Sequence, residues 1–262
     1  MGGVVMERRR MMMGGGGAKL IEDGLLLWYD GLNMGGTANE WRPYINNTAY
    51  NNLYFAKVGT VNNKDDGMQI PWDATYSKGG LVDRNNPLKA LSGNNMTVIV
   101  AASEMQRPSI DVGIVEFTKW SGNYSGRMAL LANASYNALQ NKGYGSSWYT
   151  STIPVPVTIN KAVVAFTSNG SNGTCFADFD GAKYKDAGFY PFKKDVSNGM
   201  CMIVGAYDYY PGVNSANLPG GRRSSSNWRD WSGIYHAVLL YNRVLSDSEI
   251  AQVTDWLKKR YD

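Results

Sequence analysis

Gly233–Ile250 reads GIYHAVLLYNRVLSDSEI. The first nine residues carry two interleaved apolar sets. Ile234, His236, Val238 and Leu240 alternate with Tyr235, Ala237, Leu239 and Tyr241, so the segment predicts a strand covered on both faces. The last residues announce a helix. Ser246 is a good N-cap, and Glu249 three positions on completes a capping box. Ile250, Val253, Trp256 and Leu257 then recur at helical spacing. Lys258, Lys259 and Arg260 suit the negative end of the helix dipole. A strand running straight into one short C-terminal helix is therefore expected.

Working outward, the chain is a succession of short apolar runs separated by turn residues. Leu25–Tyr29 (LLLWY) is followed by the turn pair Asp30-Gly31. Further strands are expected at Leu53–Val58, Met96–Ala102, Ile110–Phe117, Arg127–Ala132, Val155–Ile159, Ala162–Ser168, Thr174–Asp180 and Met200–Tyr207. The clearest hairpin joins Ala162–Ser168 to Thr174–Asp180 through the turn residues Asn169–Gly173, and Asp180-Gly181 forms the next turn. The spacing is that of an antiparallel sandwich. Abundant Gly (30), Tyr (17) and Trp (8) fit the same class.

These residues resemble the concanavalin A-like, laminin-G-like domain family. Tyr241, Asn242, Arg243, Leu245, Ser246, Glu249 and Ile250 match its closing strand-and-helix motif, and GLLLWYDG resembles its first strand. The unit ending at Gly181 resembles the family hairpin, and Gly199–Ala206 the strand after it. The resemblance covers about 20–262. It implies an all-β, two-sheet antiparallel jelly-roll sandwich with one short C-terminal helix. Within the motif it implies that Leu245 and Ile250 plug the core while Ser246 caps the helix. The fold hosts lectins, glycosidases, adhesive modules and virion proteins, so activity must be argued from a site.

Residues 1–19 read differently. They are rich in Met and Gly, without strand or helix period, and hold Arg8, Arg9, Arg10 and Lys19 against Glu7. They are expected to be a flexible basic arm before a single domain at 20–262. A Met/Arg-rich leader before a jelly roll is similar to virion proteins of gut bacteriophages. That suggests partners among other virion or cell-surface proteins, a place on a virion or cell surface, and scope for homo-oligomers. No secretory signal is visible, and no run of 18 apolar residues predicts a membrane span. Since most of the net +4 lies in the arm, the body is near neutral, which argues against a nucleic-acid face.

Catalytic patterns are scarce. Glycosidases of this fold use E-x-D-x-x-E, which sets two carboxylates on one strand face. The nearest run here is Asp111 to Glu116, whose spacing is wrong and whose ends should face opposite ways on a regular strand. His236, the single histidine, reads as a satisfied core residue, and there is no G-x-S-x-G elbow. Cys175 and Cys201 lack metal-site spacing and read as two buried thiols, with a single disulfide as the other reading. The expectation is a non-catalytic binding module, with a purely structural phage head-fibre, tail or capsid-decoration subunit as one alternative and a glycoside hydrolase with an unrecognised carboxylate pair as another.

Binding patterns are richer. Exposed aromatics beside amides suit carbohydrate, because sugar C–H faces pack on rings while hydroxyls need donors and acceptors. The candidates are Tyr207, Tyr209, Tyr210 and Asn214 in one segment, and Trp228 and Arg229 in another. Tyr144, Trp148 and Tyr149 form a third aromatic group, and Trp231 reads as core. The same residue types also suit a protein interface. The family resemblance makes calcium a candidate cofactor, with Asp30, Asp65, Asp66 and Asp83 as oxygen ligands.

Overall fold

The computed structural model describes residues 19–35, 37–72, 79–83, 85–106, 111–119, 128–143, 147–194, 200–208 and 228–262. Residues 1–18, most of the expected arm, lie outside that set. Within it the chain forms a two-sheet antiparallel β-sandwich with one C-terminal helix, as the sequence predicts.

Numbered in chain order, one sheet runs β15 (Ala182–Phe189), β14 (Gly173–Phe179), β13 (Thr158–Ser168), β8 (Met96–Gln106), β19 (Ser232–Tyr241), β1 (Leu25–Asp30) and β3 (Ile45–Asn46). At one end β19 also pairs with β6 (Gly67–Ile70), which pairs with β5 (Asn62–Lys64). The second sheet runs β12 (Trp148–Pro154), β11 (Ala138–Lys142), β10 (Met128–Asn133), β9 (Val112–Lys119), β16 (Met200–Val204), β7 (Gly79–Asp83), β4 (Phe55–Gly59) and β2 (Glu40–Trp41). A small ribbon pairs β17 (Ala206–Asp208) with β18 (Trp228–Asp230).

The doubly apolar strands have a direct cause. β1 and β19 lie side by side, with Tyr29, Tyr235, Val238 and Leu240 turned into the space between the sheets. Trp28, Ala237, Leu239 and Tyr241 face the other way and are covered by helix α1 (Asp247–Arg260) through Ile250, Val253, Trp256 and Leu257. Each large aliphatic side chain so removed from water contributes about 1.5–3 kcal/mol. Trp28 meets Trp256 edge to face at 5.2 Å. Leu245 is buried ahead of the helix, and Thr97 fixes that turn from both sides: its hydroxyl donates to Arg243 O and accepts Leu245 N. Ser246 caps the helix in a full capping box with Glu249.

Polar latches hold α1 at both ends. Arg243 forms a two-pronged pair with Glu249, at 3.0 and 2.6 Å. At the far end Asp30, fully buried, accepts from Arg260 and from the Tyr261 hydroxyl. Lys258 pairs with buried Asp178 of β14 at 3.0 Å.

Two expectations need correction, and several strands lie outside those expected. The strand expected at Val155–Ile159 is instead a corner between β12 and β13, since Val155 to Val157 lie outside both strands. Pro156 cannot donate to a ladder and breaks the run there. The exposed edge strand β15 was not foreseen. The parity argument on β9 also fails, because the β9–β10 register shifts at Ile114 and leaves both Gly113 and Glu116 on the outward side. Cys175 and Cys201 are unpaired buried thiols.

Candidate functional site

α1 covers much of the outer face of the first sheet, so the broader surface for a binding site is the outer face of the second sheet. Its centre is apolar and buried: Ala129 and Leu131 of β10, Ile203 of β16 and Val82 of β7. Glu116 lies among them, opposite Ala129 on one side and Ile203 on the other, with no exposed surface.

Towards β11 and β12 the same face turns polar and opens. The Asn133 amide donates to Gln140 Oε1 at 3.0 Å, and the Gln140 amide donates to Thr150 Oγ1 at 3.0 Å. This is a hydrogen-bonded ladder crossing three strands. Beside it, Lys142 Nζ stands 5.5 Å from the centre of the Trp148 ring, directly across the β11–β12 pair. Trp148 rests on Ala129 and Leu131 and is half-buried. Tyr149, its neighbour, turns to the opposite side, packs edge to face on Phe189 at 5.3 Å and donates to Asp186 at 3.1 Å. That bond belongs to the seam between the sheets. Burial and the Asp186 carboxylate push the Tyr149 hydroxyl above its usual range.

The ribbon stands at one end of this face. Gly205 (φ +73°) kinks the chain between β16 and β17; a side chain there would strike Ile70 at 2.5 Å and the Tyr235 ring at 2.8 Å. Ala206 packs with Val82 and Ile203, and the ribbon lies against β9 and β7. Asp230, buried at its base, accepts Gly79 N at 2.7 Å. Register sets Tyr207 opposite Arg229 and Asp208 opposite Trp228. Two sequence candidates, Tyr207 and Arg229, are thus paired, and Trp228 holds the neighbouring position along β18. Tyr209, Tyr210 and Asn214, like Tyr144, lie outside the described residues. Trp231 is core, as read.

The four aspartates proposed for calcium are not assembled. Asp30 takes hydrogen bonds from Leu32 N, Asn33, Arg260 and Tyr261. Its charge is already met by a guanidinium. Asp83 sits inside the sandwich, accepting from Tyr29 OH at 2.8 Å and Asn85 N at 2.9 Å. Burial outweighs those bonds and raises its carboxyl from 3.8 to about 6. Asp65 and Asp66 form the turn between β5 and β6. Among the described residues no three His, Cys, Asp or Glu side chains converge as metal ligands. Asp111, the other carboxylate of the run that ends at Glu116, precedes β9 and accepts Ala134 N at 3.0 Å. His236 is buried with both ring nitrogens bonded.

Sequence reasoning found Trp148 but missed the ladder. Asn133, Gln140 and Thr150 are separated along the chain, and only the β10–β11–β12 register makes them neighbours.

No family model and no curated protein matches this chain. Solved structures do. Trypanosoma rangeli sialidase aligns with a TM-score of 0.63 and 12% identity over 97% of this chain and 37% of its own. The same enzyme in complex with sialic acid gives 0.59 and 14%, over 92% and 34%. Ruminococcus gnavus IT-sialidase CBM40 gives 0.48 and 15%, over 72% and 96%. The chain spans about a third of the length of the sialidases. At these identities the sialidase likeness is one of fold.

Proposed function

We propose that the chain is a carbohydrate-binding module that does not cleave glycosidic bonds, and that it reads its ligand on the β10–β12 outer face and the adjoining ribbon. The observation that carries this is the half-buried Trp148 ring beside the Asn133–Gln140–Thr150 ladder. An aromatic ring supplies a platform for sugar C–H groups. The ladder supplies amide and hydroxyl groups already held in place, so little ordering entropy opposes binding. Lys142 adds a cation suited to a carboxylated sugar, and Arg229 at the ribbon would extend the recognition surface.

The test is retention on a broad array of neutral and sialylated glycans, with calcium and then with chelator. The reading expects retention that Trp148→Ala weakens at least about tenfold, or 1.4 kcal/mol, in a protein that stays folded. Calcium dependence would make the aspartates worth substituting one by one. No retention in either condition, or retention unchanged in the Trp148 variant, rejects this face as the site.

The basic, Met-rich segment at 1–19 supports a second reading, a virion or cell-surface subunit that docks through this arm. Deleting the segment should then abolish assembly while glycan retention persists. Unchanged assembly would reject the docking role.

A further inference from the structure

The one histidine of the chain joins a serine to an aspartate. His236 is buried on the helix side of the first sheet. Its Nδ1 lies 2.8 Å from the main-chain oxygen of Asp66 and 3.3 Å from the Asp66 carboxylate. Its Nε2 lies 2.7 Å from Ser103 Oγ. A carbonyl oxygen can only accept, so Nδ1 carries a proton, and in the neutral ring Nε2 then presents its lone pair to the serine. That is the tautomer a general base needs.

The arrangement depends on local irregularity. The β8–β19 register shifts between Tyr235 and Ala237, making His236 the extra residue of a bulge. Bulges re-aim side chains in this way. Glu104, directly after Ser103, has φ +53°, a left-handed conformation uncommon outside glycine. The Tyr261 ring stacks on the imidazole at 5.0 Å and holds its plane. Ser103 itself is half-exposed and opens on a cleft of about 20 Å³ between sheet and helix, walled by Lys161, Ala162, Leu257, Lys258 and Tyr261. Lys161 is directly across from Ser103 on β13, and its ion pair to Asp262 is solvent-exposed and readily given up.

The geometry points to Ser103 as the nucleophile of a second, acyl-transfer site, with His236 as general base and Asp66 as positioning residue. Ser103 Oγ attacks the carbonyl carbon of an ester while its proton passes to His236 Nε2. The ester C–O bond breaks, and that proton leaves with the alcohol. Water then attacks the acyl-serine by the same route, releasing the carboxylic acid and restoring the serine. Lys161, across from Ser103 in the register, is assigned to the developing oxyanion. The cleft has room for little more than one water molecule, so the substrate is an ester of the smallest acyl groups, such as acetyl, presented at its open mouth.

The test treats the full chain with a fluorophosphonate and locates the adduct by mass spectrometry, with 4-nitrophenyl acetate turnover measured in parallel. Expected is a single adduct on Ser103 that urea unfolding abolishes. His236→Gln should slow it on the order of 10²-fold or more, the scale of general-base assistance. Ser103→Ala should remove both adduct and turnover. Asp66→Asn should lower kcat several-fold at unchanged KM and unchanged urea midpoint; an unchanged kcat would overturn the part given to its carboxylate. No adduct on Ser103 in the folded chain, or labelling indifferent to His236→Gln, overturns the site. Should the histidine variant fail to fold, the wild type decides alone: Ser103 labelled no faster when folded than in urea overturns it.

Discussion

Replacing Glu249 by Gln should destabilise the domain at neutral pH and cease to do so in acid. Glu249 accepts from both Arg243 nitrogens, from Ser246 N at 2.8 Å and from Ser246 Oγ at 3.0 Å. Led by the Arg243 bonds, these donors hold its carboxyl down from 4.5 to about 2. A shift of that size corresponds to a ceiling of about 3 kcal/mol. The side chain is 28% exposed, so solvent screening reduces this to roughly 1–2 kcal/mol. Glutamine keeps the shape and the cap, so the variant removes the charge and, with it, the acceptor facing Arg243 Nη2. The folded value lies below the unfolded one. The contribution is therefore complete above about 4.5 and lost as pH falls through about 2. Urea unfolding of both proteins from pH 7 down to the lowest pH at which the wild type folds measures it. The gap between the two curves should narrow steadily below about pH 4.5. A gap absent at pH 7, or constant across the series, would refute the assignment of that energy to the Arg243–Glu249 charge pair.

Three other perturbations read different parts of the structure. Asp30→Asn leaves Arg260, whose side chain is 12% exposed, without its carboxylate; a loss of about 3 kcal/mol in urea unfolding, with faster proteolysis of the C-terminal helix, is expected. Asp83 behaves oppositely to Glu249: its folded value of about 6 lies above 3.8, so its contribution is full below 3.8 and lost as pH rises through about 6. Relative to Asp83→Asn, the wild type should lose up to about 3 kcal/mol across that window; parallel curves would reject the buried-charge penalty. Burial pushes the Cys175 thiol well above its usual range, so a disulfide reagent should leave it unmodified until the chain unfolds, as followed by absorbance of the released thiolate.

Legibility in the sequence tracked how locally each feature is encoded. The closing strand and capped helix could be read because their partners are neighbours along the chain: Ser246 with Glu249, Ile250 with Val253. The β13–β14 hairpin was equally plain. β15 escaped notice because AKYKDAGF is an exposed edge with no apolar face to betray it. The corner at Val155–Val157 misled because apolar residues there looked like a strand, although Pro156 interrupts the ladder. Site residues followed the same rule. Trp148 was visible as an aromatic in a turn-rich segment, whereas the ladder beside it depends on register. Ser103 and Asp66 gave no motif at all, since a bulge, which no periodicity reports, brings His236 to both.

The position of β19 also bears on how the chain reaches this state. It is the final strand of the described chain, yet it lies between β8 and β1 and borders β6 as well. During vectorial synthesis β1 and β8 emerge with facing edges that nothing yet fills. The central pairing of Leu25 with Tyr241 closes a loop of more than two hundred residues. Such high contact order makes for slow folding and a long interval of exposed strand edges. Truncation ahead of Ser232 should accordingly leave an aggregation-prone nascent chain rather than a smaller folded one.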